Sequence, residues 1–264
     1  MFKVKRKLGQ GGFGTIYLVK QRSTKELLAA KRVKKREVSQ LINSTKDGPM
    51  PIEIWALSNL SHPNIIKLHS TVELDKHWVL MMEYDSDYTD LFKFTAKYGA
   101  LSESVTKGIF TQVHRAVTYC FNQGIDHRDI KDENILVHRT TGHVKLLDFG
   151  SASLFDPRVP YKVARGTEVF LPPEFFSTRI YMPLEGMVWS FGCLLYTMLT
   201  GAIPFTDWQS VLHTEVDLVN VSSQCKEFVI RCLEKDRGKR ICYNELKSHR
   251  WMTENVVNLR PRIS

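Results

Sequence analysis

The stretch GIDHRDIKDENILV, residues 124–137, crowds Asp126, Arg128, Asp129, Lys131, Asp132 and Glu133 between Ile125 and the apolar run Ile135, Leu136, Val137. Apolar ends draw a segment toward a core, whereas charged side chains resist burial unless each finds a partner. The island therefore demands counter-charges from elsewhere in the chain or from a charged ligand. His127 and Asn134 add two further polar groups to the same short segment.

The rest of the chain is able to build a core around it. At 264 residues, with 43% hydrophobic, 25% charged and 11% aromatic residues, the composition is that of a soluble globular protein, of a size that suits a large two-lobed enzyme treated as one unit. The longest nearly apolar run, MVWSFGCLLYTML at 187–199, is broken by Ser190 and Thr197 and is too short to span a bilayer. The basic start MFKVKRKLG is followed by no apolar region of the kind a leader needs, so neither targeting nor membrane insertion is expected. Cys120, Cys193, Cys225, Cys232 and Cys242 form no C-x-x-C pair, which points to reduced thiols inside the cell and not to a disulfide framework or a structural zinc site. The expected compartment is the cytoplasm, with the nucleus not distinguished, and the expected state is a monomer. A net charge of +9 and the run KRVKKR at 31–36 raise the question of nucleic acid. No aromatic residue is interleaved with that run, so it reads as a solvated face and no nucleic-acid partner is expected.

Near the start, KVKRKLGQGGFGTIYLV places Gly9, Gly11 and Gly14 in a G-x-G-x-x-G pattern and follows it with β-favouring residues. A dinucleotide fold would open a helix at the third glycine; here a strand follows. Strand, glycine turn and strand let backbone N–H groups approach a phosphate chain, and Lys31 on the next strand, LLAAKRV, sets a cation beneath it. An ordinary glycine hairpin with an ordinary strand lysine fits the same residues. Downstream, Pro51 can start a helix along which Ile52, Trp55, Ala56 and Leu60 recur. Glu53 on that helix either orients Lys31 or lies on the surface of the first turn. Two strands follow, IIKLHSTVEL and HWVLMMEY, then the polar run DSDYTD, which reads as a connector to a helix-rich remainder. There, Val105, Ile109, Val113, Val117 and Phe121 make one stripe of a helix from Ser102 to Gly124.

H-R-D-I-K-D-E-N at 127–134, followed by D-F-G at 148–150 and preceded by the glycine loop and Lys31, resembles the protein-kinase signature set. The resemblance implies an α+β, two-lobed fold, with a β-rich small lobe at 1–82, a hinge at 83–88 and a mostly helical large lobe at 89–264. It also implies ATP-dependent transfer of the γ-phosphate to Ser or Thr hydroxyls of protein substrates, with Mg2+ as the metal. Phosphoryl transfer gathers several anionic oxygens, so such a site needs metal-binding carboxylates, fixed cations and a proton acceptor close together. By resemblance Asp129 is the catalytic base, Lys131 contacts the transferred group, and Asn134 and Asp148 hold Mg2+. Lys31, paired with Glu53, holds the α and β phosphates; Leu8, Gly9, Gly11, Gly14, Ile16, Ala29, Glu83 and Asp85 complete the nucleotide site. Lys131 with Thr167 is similar to the hydroxyl-orienting pair of Ser/Thr kinases.

LPPEFF at 171–176 resembles the A-P-E segment, and Arg240 stands where a late arginine would pair with Glu174. DGPMPIE, YGAL, HRDIKDENIL, DFGS, PPE and HRWM further resemble the Pim group of Ser/Thr kinases. Pim kinases favour basic residues upstream of the acceptor. Glu133 and Asp90 match the acidic groove that reads them, whereas Lys93, Ala202 and Thr206 stand where further acids are expected. Asp85 occupies the place of a hinge proline, restoring a backbone donor to adenine in principle. Met187 stands where most kinases carry an aspartate that accepts backbone N–H groups of the catalytic loop, and a thioether is a poor substitute. Tyr161 and Thr167 are the candidate phosphosites of the activation segment. The rival reading is a pseudokinase that retains the fold as a binding or scaffolding protein.

Overall fold

The computed structural model describes residues 2–12, 14–38, 40–44 and 48–254. Met1 and residues 255–264, at the two ends of the expected lobes, lie outside the described residues.

The β-favouring first third forms an antiparallel sheet. Strands β1 (Phe2–Gly11), β2 (Gly14–Gln21) and β3 (Leu27–Lys34) are consecutive neighbours. A small hairpin, β4 (Leu41–Ser44) and β5 (Gly48–Pro51), leads into α1 (Ile52–Asn59); strands β6 (Leu68–Glu73) and β7 (His77–Glu83) then complete a sheet of order β1-β2-β3-β7-β6. Because β7 inserts beside β3, Lys31 lies opposite Leu80 on one side and Ile16 on the other, in the middle of the sheet. Helix α1 buries Ile52, Glu53, Ile54, Ala56 and Leu57, so it is covered nearly all round and shows no exposed polar stripe at Glu53.

The connector is more ordered than its polarity suggests, since Tyr88–Asp90 forms strand β8. Helices α2 (Leu91–Tyr98) and α3 (Glu103–Asn122) follow, each opened by a side-chain cap, Asp90 and Ser102 respectively. Four short strands then carry the charged island and what comes after it: β9 (Ile125–Asp126), β10 (Ile135–His138), β11 (Val144–Leu146) and β12 (Ser153–Leu154). Strand β10 pairs with β11 and β8, while β9 pairs with β12, so the apolar flanks of the island are indeed strands that clamp both of its ends. This is the β-sheet lobe and helical lobe of the expected α+β architecture.

The large core forms around α5 (Pro183–Thr200), the helix of the long apolar run, whose Trp189, Phe191, Cys193, Leu194, Leu195 and Met198 are all fully buried. Helices α4 (Pro173–Thr178), α6 (Trp208–His213), α7 (Ser223–Cys232) and α8 (Arg250–Thr253) pack around it or beside it. Gly192 permits the closest approach, because a Cβ there would meet Leu233 at 2.7 Å and Cys232 at 2.9 Å. Among the described residues no helix is long and apolar enough to cross a membrane.

One buried ion pair fastens the segment that follows α7 to α4. Arg240 donates to both carboxylate oxygens of Glu174 at 2.8 Å each, and its Nε donates to the Glu234 carbonyl at 2.9 Å. This is the pairing the resemblance implied. Their side chains are 1% and 8% exposed. Arg240→Leu should therefore lower unfolding stability by about 3–5 kcal/mol, because Glu174 is left buried without its cation, and the Arg240→Leu/Glu174→Leu double variant should recover much of that loss. Urea titration of both variants checks this; a single-variant cost below about 1 kcal/mol would be the value of a surface pair and would contradict the buried anchor.

Candidate active site

Three elements far apart in sequence meet at one ammonium group. Lys31 Nζ donates to Glu53 Oε1 at 2.6 Å and to Asp148 Oδ1 at 2.9 Å, joining β3, α1 and the segment after β11. Of the two positions open to Glu53, the structure takes the buried one at Lys31. Burial disfavours the lysine cation, but the charges of Glu53 and Asp148 more than offset it and hold its pKa above the ordinary value. Burial likewise opposes the Asp148 carboxylate, yet Lys31 and the Gly150 N–H keep its pKa below the ordinary range. Burial dominates at Glu53 and raises its pKa despite Lys31. Asp148 has a left-handed backbone, φ 58°, which turns its side chain back to accept the Gly150 N–H at 3.1 Å. Phe149 is fully buried beside α1, where its N–H reaches Glu53.

The D-F-G turn and the catalytic loop are locked together by a buried histidine. The ring of His127 meets that of Phe149 edge-on at 4.7 Å. Its Nδ1 accepts from the Asp129 N–H at 3.2 Å, so Nε2 carries the proton and donates to the Leu147 carbonyl at 2.6 Å. Sequence reading named His127 as part of the charged island and of the H-R-D motif but gave it no role of its own.

Asp129 is held from two sides. Asn134 Nδ2 donates to the Asp129 carbonyl at 2.8 Å and to Oδ2 at 2.9 Å. Thr167 donates its N–H and its hydroxyl to Oδ1, both at 3.1 Å. Lys131 Nζ donates to Thr167 Oγ1 at 2.9 Å and lies 3.7 Å from Asp129 Oδ2 and 2.9 Å from Glu133 Oε2. Burial works against the Lys131 cation, but these two carboxylates keep its pKa raised. Gly166 makes the close approach of Thr167 possible: its φ is +79°, and a Cβ there would meet the Arg128 carbonyl oxygen at 2.4 Å and Asp129 Oδ1 at 2.9 Å.

The donor set at the cleft suits a hard cation beside phosphates. Because Asn134 Nδ2 is committed to Asp129, its amide oxygen is the atom that could serve as a ligand; together with the Asp148 carboxylate it would supply oxygen donors of the type Mg2+ prefers. The hairpin of β1 and β2 forms one wall. Gly9 pairs with Ile16 and Gly11 with Gly14, while Leu8 sits at a register shift between Lys7 and Gly9. A Cβ at Gly9 or Gly11 would meet nothing within 4 Å, whereas one at Gly14 would strike the Arg32 carbonyl oxygen at 2.4 Å. Glycine at 14 is thus needed by the fold itself, and the bare backbone at 9 and 11 leaves room for phosphate oxygens. Ala29 pairs with Leu18 and Met82 in the sheet that leads to the connector. In the connector, the Glu83 side chain faces Lys145 at 2.8 Å and the Lys67 N–H at 2.7 Å, and Asp85 Oδ1 accepts the Asp87 N–H at 2.9 Å.

Comparison with known proteins agrees with this geometry. Residues 2–252 match the protein kinase domain family. Serine/threonine-protein kinase pim-2 of Danio rerio is 34% identical over 262 residues, covering 95% of this chain and 84% of that protein. Serine/threonine-protein kinase prk-2 of Caenorhabditis elegans is 30% identical over 263 residues, 97% of this chain and 59% of that protein. Serine/threonine-protein kinase SIK1 of Mus musculus is 32% identical over 258 residues, which is 95% of this chain but 32% of that protein. The chain belongs to the protein kinase family, in its serine/threonine branch.

Proposed function

We propose that this chain transfers the γ-phosphate of Mg-ATP to Ser or Thr hydroxyls of protein substrates, with residues 1–82 as the small lobe, 83–88 as the hinge and 89–264 as the large lobe. The observation that carries the reading is the meeting of Lys31, Glu53 and Asp148 at 2.6 and 2.9 Å alongside an Asp129 that is already oriented. Bound Mg-ATP supplies the transferable phosphoryl group and the cation that shields its charge. Lys31, held in place by Glu53, binds the α and β phosphates. Asp148 and Asn134 hold the Mg2+. Asp129 orients the acceptor hydroxyl and takes its proton; orientation is the larger share, because a carboxylate is a weak base toward a hydroxyl. Lys131 brings its ammonium to the transferred group, and its bond to Thr167 supports a shared role for the two at the acceptor.

The expected preference for basic residues upstream of the acceptor is weakened by how the two acids are used. Asp90 caps α2 through the Lys93 N–H at 2.8 Å and pairs with Lys93 Nζ at 2.6 Å, and Glu133 pairs with Lys131. Each exposed contact that a basic substrate gains there is worth only about 0.2–1 kcal/mol. The cytoplasm remains the proposed compartment, supported by five unpaired thiols of which four are buried, and the proposed state is a monomer. No observation favours the pseudokinase reading.

Two measurements test the reading. Asp129→Asn should lower kcat for a Ser/Thr peptide by about 10²–10⁴-fold while leaving the KM for ATP nearly unchanged; equal turnover would remove Asp129 from the chemistry, and transfer to tyrosine alone would overturn the acceptor class. Lys31→Met should abolish the rise in melting temperature that Mg-ATP produces in the wild type, as read by thermal-shift titration. A rise of the same size in the variant would show that the nucleotide binds elsewhere.

A further inference from the structure

Met187 offers the backbone of the 127–134 loop no strong acceptor. Met187 lines a cavity of about 20 Å³ beneath the loop, together with Asp126, Arg128, Asp129, Arg165 and Gly186, and a thioether there is at best a weak acceptor. Above it, Arg128 is held at φ 60°, a left-handed conformation that a residue with a long side chain keeps only when its surroundings enforce it.

The enforcing group is Asp126, at the end of β9 and 2% exposed. Its Oδ1 accepts the Arg128 N–H at 3.1 Å, and the His127 N–H also faces the carboxylate. Its Oδ2 accepts the Tyr161 hydroxyl at 3.0 Å. Tyr161 in turn accepts from Ser153 Oγ at 3.2 Å, and Ser153 is the register partner of Asp126 across β9 and β12. The Arg128 guanidinium lies 3.8 Å from the centre of the Tyr161 ring and donates to the Val163 carbonyl at 2.6 Å and the Tyr181 hydroxyl at 3.0 Å. One buried carboxylate thus joins the catalytic loop to the activation segment.

We propose that Asp126 is a positioning residue for phosphoryl transfer, a carboxylate within the loop's own entry strand that replaces the acceptor Met187 cannot provide and holds the activation segment through Tyr161 without phosphorylation. The proposal rests on the kinase reading and acts through Asp129, which follows Arg128 directly and is contacted by the same segment at Thr167. Burial pushes the Asp126 carboxyl up to about 6, while the Tyr161 bond, the Arg128 charge and the loop amides favour the carboxylate. Cys120 of α3, Tyr181 and Tyr243 also sense its charge, as does Tyr161, whose phenol is raised by burial first and by Asp126 second. Tyr161 is therefore a hydrogen-bond donor in this clamp. A phosphate on it would set two anions against each other, so Tyr161 is not an activating phosphosite.

The test uses the full chain with a Ser/Thr peptide and amide hydrogen exchange over residues 125–130 and 161–167. Asp126→Leu should lower kcat roughly 10- to 100-fold, leave the KM for ATP within about twofold, and remove protection from the Arg128 amide. Adding Met187→Asp should return at least about tenfold of the lost kcat, whereas Met187→Asp alone, with Asp126 present, should reduce activity through like-charge repulsion. Wild-type kcat and exchange in Asp126→Leu would overturn the proposal. So would a kcat loss that Met187→Asp does not relieve and that comes with a parallel rise in KM. If Asp126→Leu does not fold, Tyr161→Phe decides: faster exchange at 161–167 supports the clamp, and wild-type exchange overturns it. A wild type without turnover would defeat the kinase reading, and the exchange data would still decide Asp126.

Discussion

The contact on which the rest of the site depends is the buried ammonium of Lys31 between two carboxylates. Taking these charges out of water costs several kcal/mol per ion, and their attraction recovers that cost only when the geometry is good. Such a cluster is weak evidence for stability but a strong constraint on position, because moving any one member strands the others. Through it the register of β3, the docking of α1 and the turn at Asp148 are mutually dependent. Phe149 extends the dependence to His127, and His127 extends it to the Asp129 N–H.

Asp148, Asp129 and Asp126 have different environments and correspondingly different tasks. Asp148 faces Lys31, which keeps its carboxyl acidic against burial, as the proposed cation ligand requires. Asp129 is bracketed by Asn134 and Thr167, whose bonds fix the direction of its carboxylate. Asp126 is buried, and its carboxylate accepts from a backbone amide and a phenol. The same side chain thus serves as ligand, orienter and anchor, according to what surrounds it.

Much of this was legible in the linear chain. The stripe from Val105 to Phe121 defined α3, and the apolar flanks of the island became β9 and β10. The motif residues Lys31, Asp129, Asn134 and Asp148 stood out because few chemistries need those types in that order. Less visible were features with little local signal. The β4–β5 hairpin rests on few β-favouring residues, and β8 lies in a run whose polarity suggested only a connector. Met187 was recognisable as a missing acceptor, but nothing in the order of residues named the group that answers it.

Sequence alone determined the long periodic elements and the motif side chains, because periodicity, capping and motif spacing are local properties of the chain. Only the tertiary structure decided which charges face each other. Glu53 was equally compatible with the surface of its helix until α1 packed against the sheet, and Asp126 was one acid among several until β9 and β12 brought Tyr161 to it. The reason is physical: pairing of buried charges depends on distances between residues remote in the chain, and those distances exist only once the core has closed.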